Sequence, residues 1–133
     1  MASAPTFAAT PKTGLATIST INTNRDGTGT IVALFTPGSS GSRASSVTIT
    51  ATVTTTAQLV RLYRSTDSGS TWKLWKEVAI GAITVSTGTA GATATVALTD
   101  ATGQPVGLAS TDRIGAAAET ANNMSLVTEY ADL

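Results

Sequence analysis

The sequence predicts an all-β protein: an antiparallel β-sandwich of jelly-roll type with about eight strands, preceded by an extended N-terminal arm. Three observations predict it. Threonine fills about a fifth of the 133 residues, and it is joined by Val and Ile, which fit a pleated, half-buried surface. Apolar and hydroxyl residues alternate at period 2 in short runs. Turn residues interrupt those runs roughly every 8–12 residues, the spacing of a sandwich or barrel, and no segment sustains a helical period.

Taken in order, residues 1–13 are small and aperiodic, carry Pro5, Phe7 and Pro11, and read as the arm. Residues 14–133 read as one sandwich domain, within the size that folds alone. Residues 14–21 are a strand, and 22–27 a hairpin turn whose Asp26-Gly27 supplies the positive-φ corner. The unbroken apolar run 31–35 predicts a strand covered on both faces. In 47–54, Val47, Ile49, Ala51 and Val53 alternate with threonines, which gives one core face and one hydroxyl face. Residues 59–64 and 72–78 form a hairpin through a Ser/Gly turn, and 83–86 is a short strand. Ala94, Val96 and Leu98 alternate inward, 100–107 is a loop, and 113–118 and 124–130 are the last strands. Residues 116–119 could alternatively make one helical turn.

Composition excludes much chemistry. There is no His and no Cys, so a Ser-His-Asp triad, a Cys-His pair and thiolate or imidazole metal sites cannot form. Eight basic and eight acidic residues cancel, and only 12% of the chain is charged. The basic residues are scattered, without the stripe that phosphate contacts demand, so no nucleic-acid partner is expected. No apolar run approaches a membrane span, and the start lacks the pattern of a secretory signal. Neither G-x-x-x-x-G-K-[ST] nor a helix-opening G-x-G-x-x-G occurs, and no cofactor, metal or catalytic residue is expected.

The sharpest local motif is Ser65-Thr66-Asp67-Ser68-Gly69-Ser70-Thr71-Trp72, which fits S-x-D-x-G-x-T-W. It resembles the Asp-box of sialidases and other β-propellers, where it is a structural corner. Asp67 can accept N–H bonds across the turn, Gly69 supplies a conformation closed to other residues, and Trp72 packs under the hairpin. One box in so short a chain does not make a propeller. Asn22-x-Asn24-x-Asp26-Gly27 opens like an EF-hand loop, but its twelfth position is Ala33 rather than a bidentate Glu. Asp112, Glu119, Glu129 and Asp132 could be paired for glycoside hydrolysis, but nothing in their spacing requires it, and surface ion pairs are the plainer reading.

Parity within 72–78 puts Trp72 in the core with Leu74 and Val78, and Trp75 outside with Lys73 and Glu77. An outward Trp between charges reads as partial burial under a loop, a protein contact or, less favoured, a glycan contact. Pro5, Phe7, Pro11, Tyr63 and Trp75 are thus the candidate interface residues. Asp67, Gly69 and Trp72 form the structural turn. The threonine row 48, 50, 52, 54 has three readings: a solvated face, a subunit interface or an ice-binding array.

The phrases Ala4-Pro5-Thr6-Phe7-Ala8-Ala9-Thr10-Pro11, Asn24-Arg25-Asp26-Gly27-Thr28-Gly29-Thr30, Thr54-Thr55-Thr56-Ala57-Gln58-Leu59-Val60-Arg61-Leu62 and Ala109-Ser110-Thr111 carry a wider likeness. The chain resembles the small Thr/Ala-rich, Cys-poor, all-β virion proteins of tailed bacteriophages. The resemblance implies a non-enzymatic capsid decoration (cement) protein, made in the host bacterial cytoplasm and seated on the virion surface. Its implied partners are the major capsid protein and copies of itself, in a homo-oligomer that could be a trimer. A carbohydrate- or receptor-binding module of a tail or fibre, with Trp75, Tyr63, Arg61 and Arg64 as platform, is the alternative. A tail-tube or neck component is a further one.

Overall fold

The structure, a computed structural model, describes residues 10–120 and 123–133. Among the described residues nine strands form two antiparallel sheets: β1 (Thr10–Ile18), β2 (Val32–Ala33), β3 (Ser42–Ala51), β4 (Gln58–Ser65), β5 (Lys73–Ile80), β6 (Thr93–Ala97), β7 (Val106–Leu108), β8 (Arg113–Ala118) and β9 (Met124–Asp132). One sheet runs β1-β9-β3-β6, with β7 also pairing β3; the other runs β2-β8-β4-β5. The chain switches sheets at most connections, and the last two strands slot between early ones in both sheets. This interleaved order is that of a jelly roll, which folds two Greek keys into one sandwich.

Alternation places the core between the sheets. Val47 and Ile49 of β3, Leu126 of β9, Val60 and Leu62 of β4 and Ile114 of β8 are all buried in one cluster. The remainder is closed by Leu34, Ile80, Leu98 and Met124. Full burial of each such side chain contributes about 1.5–3 kcal/mol.

Several boundaries differ from the sequence reading, each for a physical reason. Pro5 and Phe7 lie outside the described residues, so the arm is described only from Thr10. Residues 10–13 are not arm but strand, because β9 continues far enough to pair them (Thr10↔Asp132 through Thr13↔Glu129). An ion pair of 2.6 Å between Lys12 and Asp132 fastens that end. The turn at 22–27 does not join a hairpin: β1 pairs β9 and β2 pairs β8, so the segment bridges the two sheets. The apolar run 31–35 yields only the two-residue edge strand β2; Leu34 and Phe35 are buried beyond it. β3 stops at Ala51, so Val53 is 38% exposed rather than core. Ile83 and Ser86 make isolated bridges only, and 116–118 is strand, since β8 lies between β2 and β4.

Candidate functional site

The outer face of the four-stranded sheet is not free. Val60 and Leu62 point into the core, so Arg61 and Tyr63 point outward, yet both are buried. The bridging segment 22–30 covers Tyr63, whose hydroxyl donates to the Asn24 carbonyl at 2.7 Å. Burial also pushes the Tyr63 phenol pKa up. Arg61 is held by Glu77 (Nε–Oε2, 3.2 Å) and Glu119 (Nη2–Oε1, 3.1 Å), and Arg25 meets the other oxygen of Glu77 at 3.0 Å. Asn22, itself buried, organises the segment by donating to the Thr28 and Thr30 carbonyls. Gly27 presses on the Trp72 backbone so closely that a Cβ would lie 2.0 Å from its carbonyl oxygen, at a φ of +88° that also demands Gly. Tyr63 and Arg61 therefore cannot serve as a surface platform: the segment 22–30 covers the one, and Glu77 and Glu119 hold the other in a buried position.

The two tryptophans exchange the roles that parity assigned. The β4–β5 register slips between Leu62↔Lys76 and Tyr63↔Leu74, leaving Trp75 as the extra residue of a β-bulge. Beyond it the faces invert. Trp75 packs against the core cluster, with the Arg64 guanidinium 5.0 Å and the Lys76 ammonium 4.8 Å from its ring centroid. Trp72 lies on the outer face instead, over Gly115, where a Cβ would come within 2.8 Å of its ring.

The Asp-box corner takes the geometry its residues imply. Asp67 accepts from the Thr71 N–H and hydroxyl and from the Ser65 hydroxyl. Those bonds, the Thr71 hydroxyl first, lower its pKa to about 2. Gly69 has a φ of +90°, and a Cβ there would come within 3.3 Å of the Trp72 ring. Every Asp67 oxygen is engaged within the turn, so the residue works as a corner.

The outer face of the five-stranded sheet is the surface left open. Its residues meet in three cross-strand rows, read from the register: Thr17–Ser125–Thr50–Thr93, Leu15–Val127–Thr48–Thr95 and Thr13–Glu129–Ser46–Ala97. Within these rows Glu129 is the only ionisable residue. Thr48 and Thr95 are in hydroxyl contact at 3.3 Å, and Leu15 is 76% exposed, the most exposed large apolar side chain described. A shallow groove of about 430 Å³ runs along Leu15, Thr17, Ser125 and Val127. At the end of the sheet a cleft of about 330 Å³ is lined by Pro11, Arg43, Pro105, Glu129 and Tyr130, with the Tyr130 ring stacked on Phe35 at 3.9 Å. Of the candidate interface residues, Pro11 is thus at a cleft, Trp75 is at the core margin and Tyr63 is interior.

Sequence reasoning found the Thr48/Thr50 half of the open face. It missed Leu15, Thr17, Ser125, Val127, Thr93 and Thr95, because only the strand order brings them together. Thr52 and Thr54 fall past the end of β3 and are not part of it. Among the described residues no group of three or more acidic side chains could hold a metal ion, and no helix is long and apolar enough to cross a membrane. No protein-family model matches the chain, and neither does any curated protein.

Proposed function

We propose that the protein is a non-enzymatic structural component of a virion: a decoration protein that lays its charge-poor sheet face on the major capsid protein of an assembled bacteriophage shell. One observation carries the reading: three aligned rows of hydroxyl and aliphatic side chains with a single ionisable member. Such a face costs less to desolvate than a charged one, because Glu129 is the one charge in its rows that has to be stripped of water or paired. It is also preorganised, since sheet pairing already fixes the backbone, and that reduces the ordering entropy paid on docking. The jelly-roll order is compatible with this role by analogy of architecture, which is shared by capsid and lectin domains alike. The phage assignment itself rests on the sequence resemblance. Repetition over a lattice would multiply a weak individual contact.

The experiment is co-sedimentation of the purified chain with emptied phage shells, counting copies bound. Saturation at hundreds of copies supports decoration, and a Thr48→Glu/Thr95→Glu double variant, still folded, loses binding. Absence of binding, or saturation near a dozen copies, overturns decoration; the latter number would fit a neck component. A carbohydrate-binding reading is favoured by the Pro11–Arg43–Pro105–Glu129–Tyr130 cleft, a mostly apolar hollow with two convergent charged groups. Sugar binding on a glycan array that is lost in Arg43→Ala would select it over decoration.

A further inference from the structure

We propose that the open edge of β1 is a self-association edge, on which two copies pair their β1 strands antiparallel about a twofold axis through Leu15 and join their five-stranded sheets into one. The direction of the backbone groups follows from the middle of the sheet. The Thr52 N–H donates to the Asn123 carbonyl at 3.0 Å, toward β9, and the Ala51 N–H donates to the Ala92 carbonyl at 2.8 Å, toward β6. Successive residues in a strand aim their N–H and C=O groups at opposite edges. Thr48 and Thr50 therefore face β9, and their partners Val127 and Ser125 face back. Met124, Leu126 and Thr128 must then face β1, where they oppose Ile18, Ala16 and Gly14. That leaves the N–H and C=O groups of Thr13, Leu15 and Thr17 aimed out of the sheet, at an edge with no strand partner among the described residues. Pro11 falls in the same set, so its missing N–H costs the β1–β9 ladder nothing.

Pro11 and Lys12 stand at the start of this edge, but over residues 13–18 it lacks the devices that usually blunt one. β1 pairs β9 one-to-one over nine residues without a bulge, and residues 13–18 carry no charge. β5, the long edge of the other sheet, has two of them: the bulge at Trp75, and the charges of Lys73, Lys76 and Glu77 along its length.

A second copy is the occupant that fits, because the segment complements itself. With the axis at Leu15, leucine opposes leucine on the outer face, Thr13 opposes the partner's Thr17, and Gly14 opposes the partner's Ala16 in a pair small enough for close approach. Lys12 would oppose Ile18, and the two lysines would stand about 20 Å apart along the strands, each already paired with Asp132. Pro11, lacking a donor opposite Ser19, ends the ladder. Three hydrogen-bonded pairs with two bonds each remain, a contact at the weak, transient end of interfaces. Twofold pairing gives dimers rather than trimers, and it stands whether or not the chain binds a shell.

Sedimentation velocity of the full chain up to millimolar concentration, with amide exchange by NMR, tests this. We expect a reversible monomer–dimer equilibrium. The Leu15 amide should become protected as concentration rises, while the Ala16 amide, inside the β1–β9 ladder, is protected throughout. Leu15→Lys places like charges directly opposite and should weaken association about tenfold or more. Leu15→Pro removes the outward donor while leaving every β1–β9 hydrogen bond its donor, and should do the same. A Leu15 amide that exchanges freely at every concentration overturns the proposal. So does one protected even when dilute, which would mean the edge is covered within one chain, and so does association that survives both variants. If either variant fails to fold, the wild-type exchange data decide alone.

Discussion

Tyr63 shows how one side chain ties a loop to a sheet. It is fully buried on the outer face of β4, and its hydroxyl reaches the Asn24 carbonyl in the covering segment. Tyr63→Phe keeps the ring and leaves that carbonyl without this donor, so unfolding in urea should lose about 1 kcal/mol, with the m-value unchanged. The aspartates make a second prediction. Asp67, Asp26, Asp100 and Asp132 are all shifted below the ordinary carboxylate range, each chiefly by a side-chain hydrogen bond (Thr71, Thr28, Thr102 and Lys12 respectively). A depressed folded-state pKa means the unfolded chain takes up protons first. The stabilisation is therefore complete above the unfolded pKa, about 4, and disappears as pH falls through the folded value. For Asp67 that window runs from about 4 down to about 2. Urea midpoints should fall across it, and Asp67→Asn, less stable at neutral pH, should show a shallower fall. An unchanged slope would remove Asp67 from the acid response.

At the level of the strand, the alternating stretches were legible because their period survives in the folded state. β4, β6, β8 and β9 all begin within a residue or so of where the pattern places them, β3 begins five residues earlier, at Ser42, where β7 and β9 extend its pairing, and the hairpin joining β4 to β5 carries the Ser/Gly turn the sequence shows. What could not be read is whatever tertiary pairing decides. The bulge at Trp75 adds one residue, inverts the parity of everything before it, and so swaps Trp72 with Trp75. The run 31–35 is apolar enough for a central strand but lies at an edge, where β8 pairs only Val32 and Ala33. The open face was half visible for the same reason: Thr48 and Thr50 are neighbours in sequence, whereas Leu15 and Val127 become neighbours only when β9 inserts between β1 and β3. The end of β3 at Ala51 can be tested by a contrast. Leu62→Ala, in the core of β4, should cost about 2–5 kcal/mol. Val53→Ala, one of the positions that the period would bury, should stay within about 0.5 kcal/mol. Equal losses would mean that β3 continues beyond Ala51.

The whole molecule is closed by its end. β9 lies between β1 and β3 over its whole length and supplies Met124, Leu126 and Thr128 to the buried side of the sheet. Without it, β1 has no partner in its sheet among the described residues and β3 loses the neighbour on one side, so a large part of the core is opened to water. The chain must also bring its first and last strands together, and a contact so distant in sequence closes a loop of nearly the full length before it is rewarded. Two outcomes follow from that one fact. Removing residues 124–133 should abolish cooperative unfolding altogether rather than merely lower the midpoint, because the loss is structural to both Greek keys; far-UV circular dichroism and amide dispersion in NMR would read it. Refolding of the intact chain should be slow for its size, in the millisecond-to-second range of non-local β topologies, and Leu126→Ala should lower stability by about 2–5 kcal/mol with most of the change in the unfolding rate if β9 docks late. A truncated chain that still unfolds cooperatively would show that the sandwich closes without β9, and would take from the open face the strand that joins its two halves.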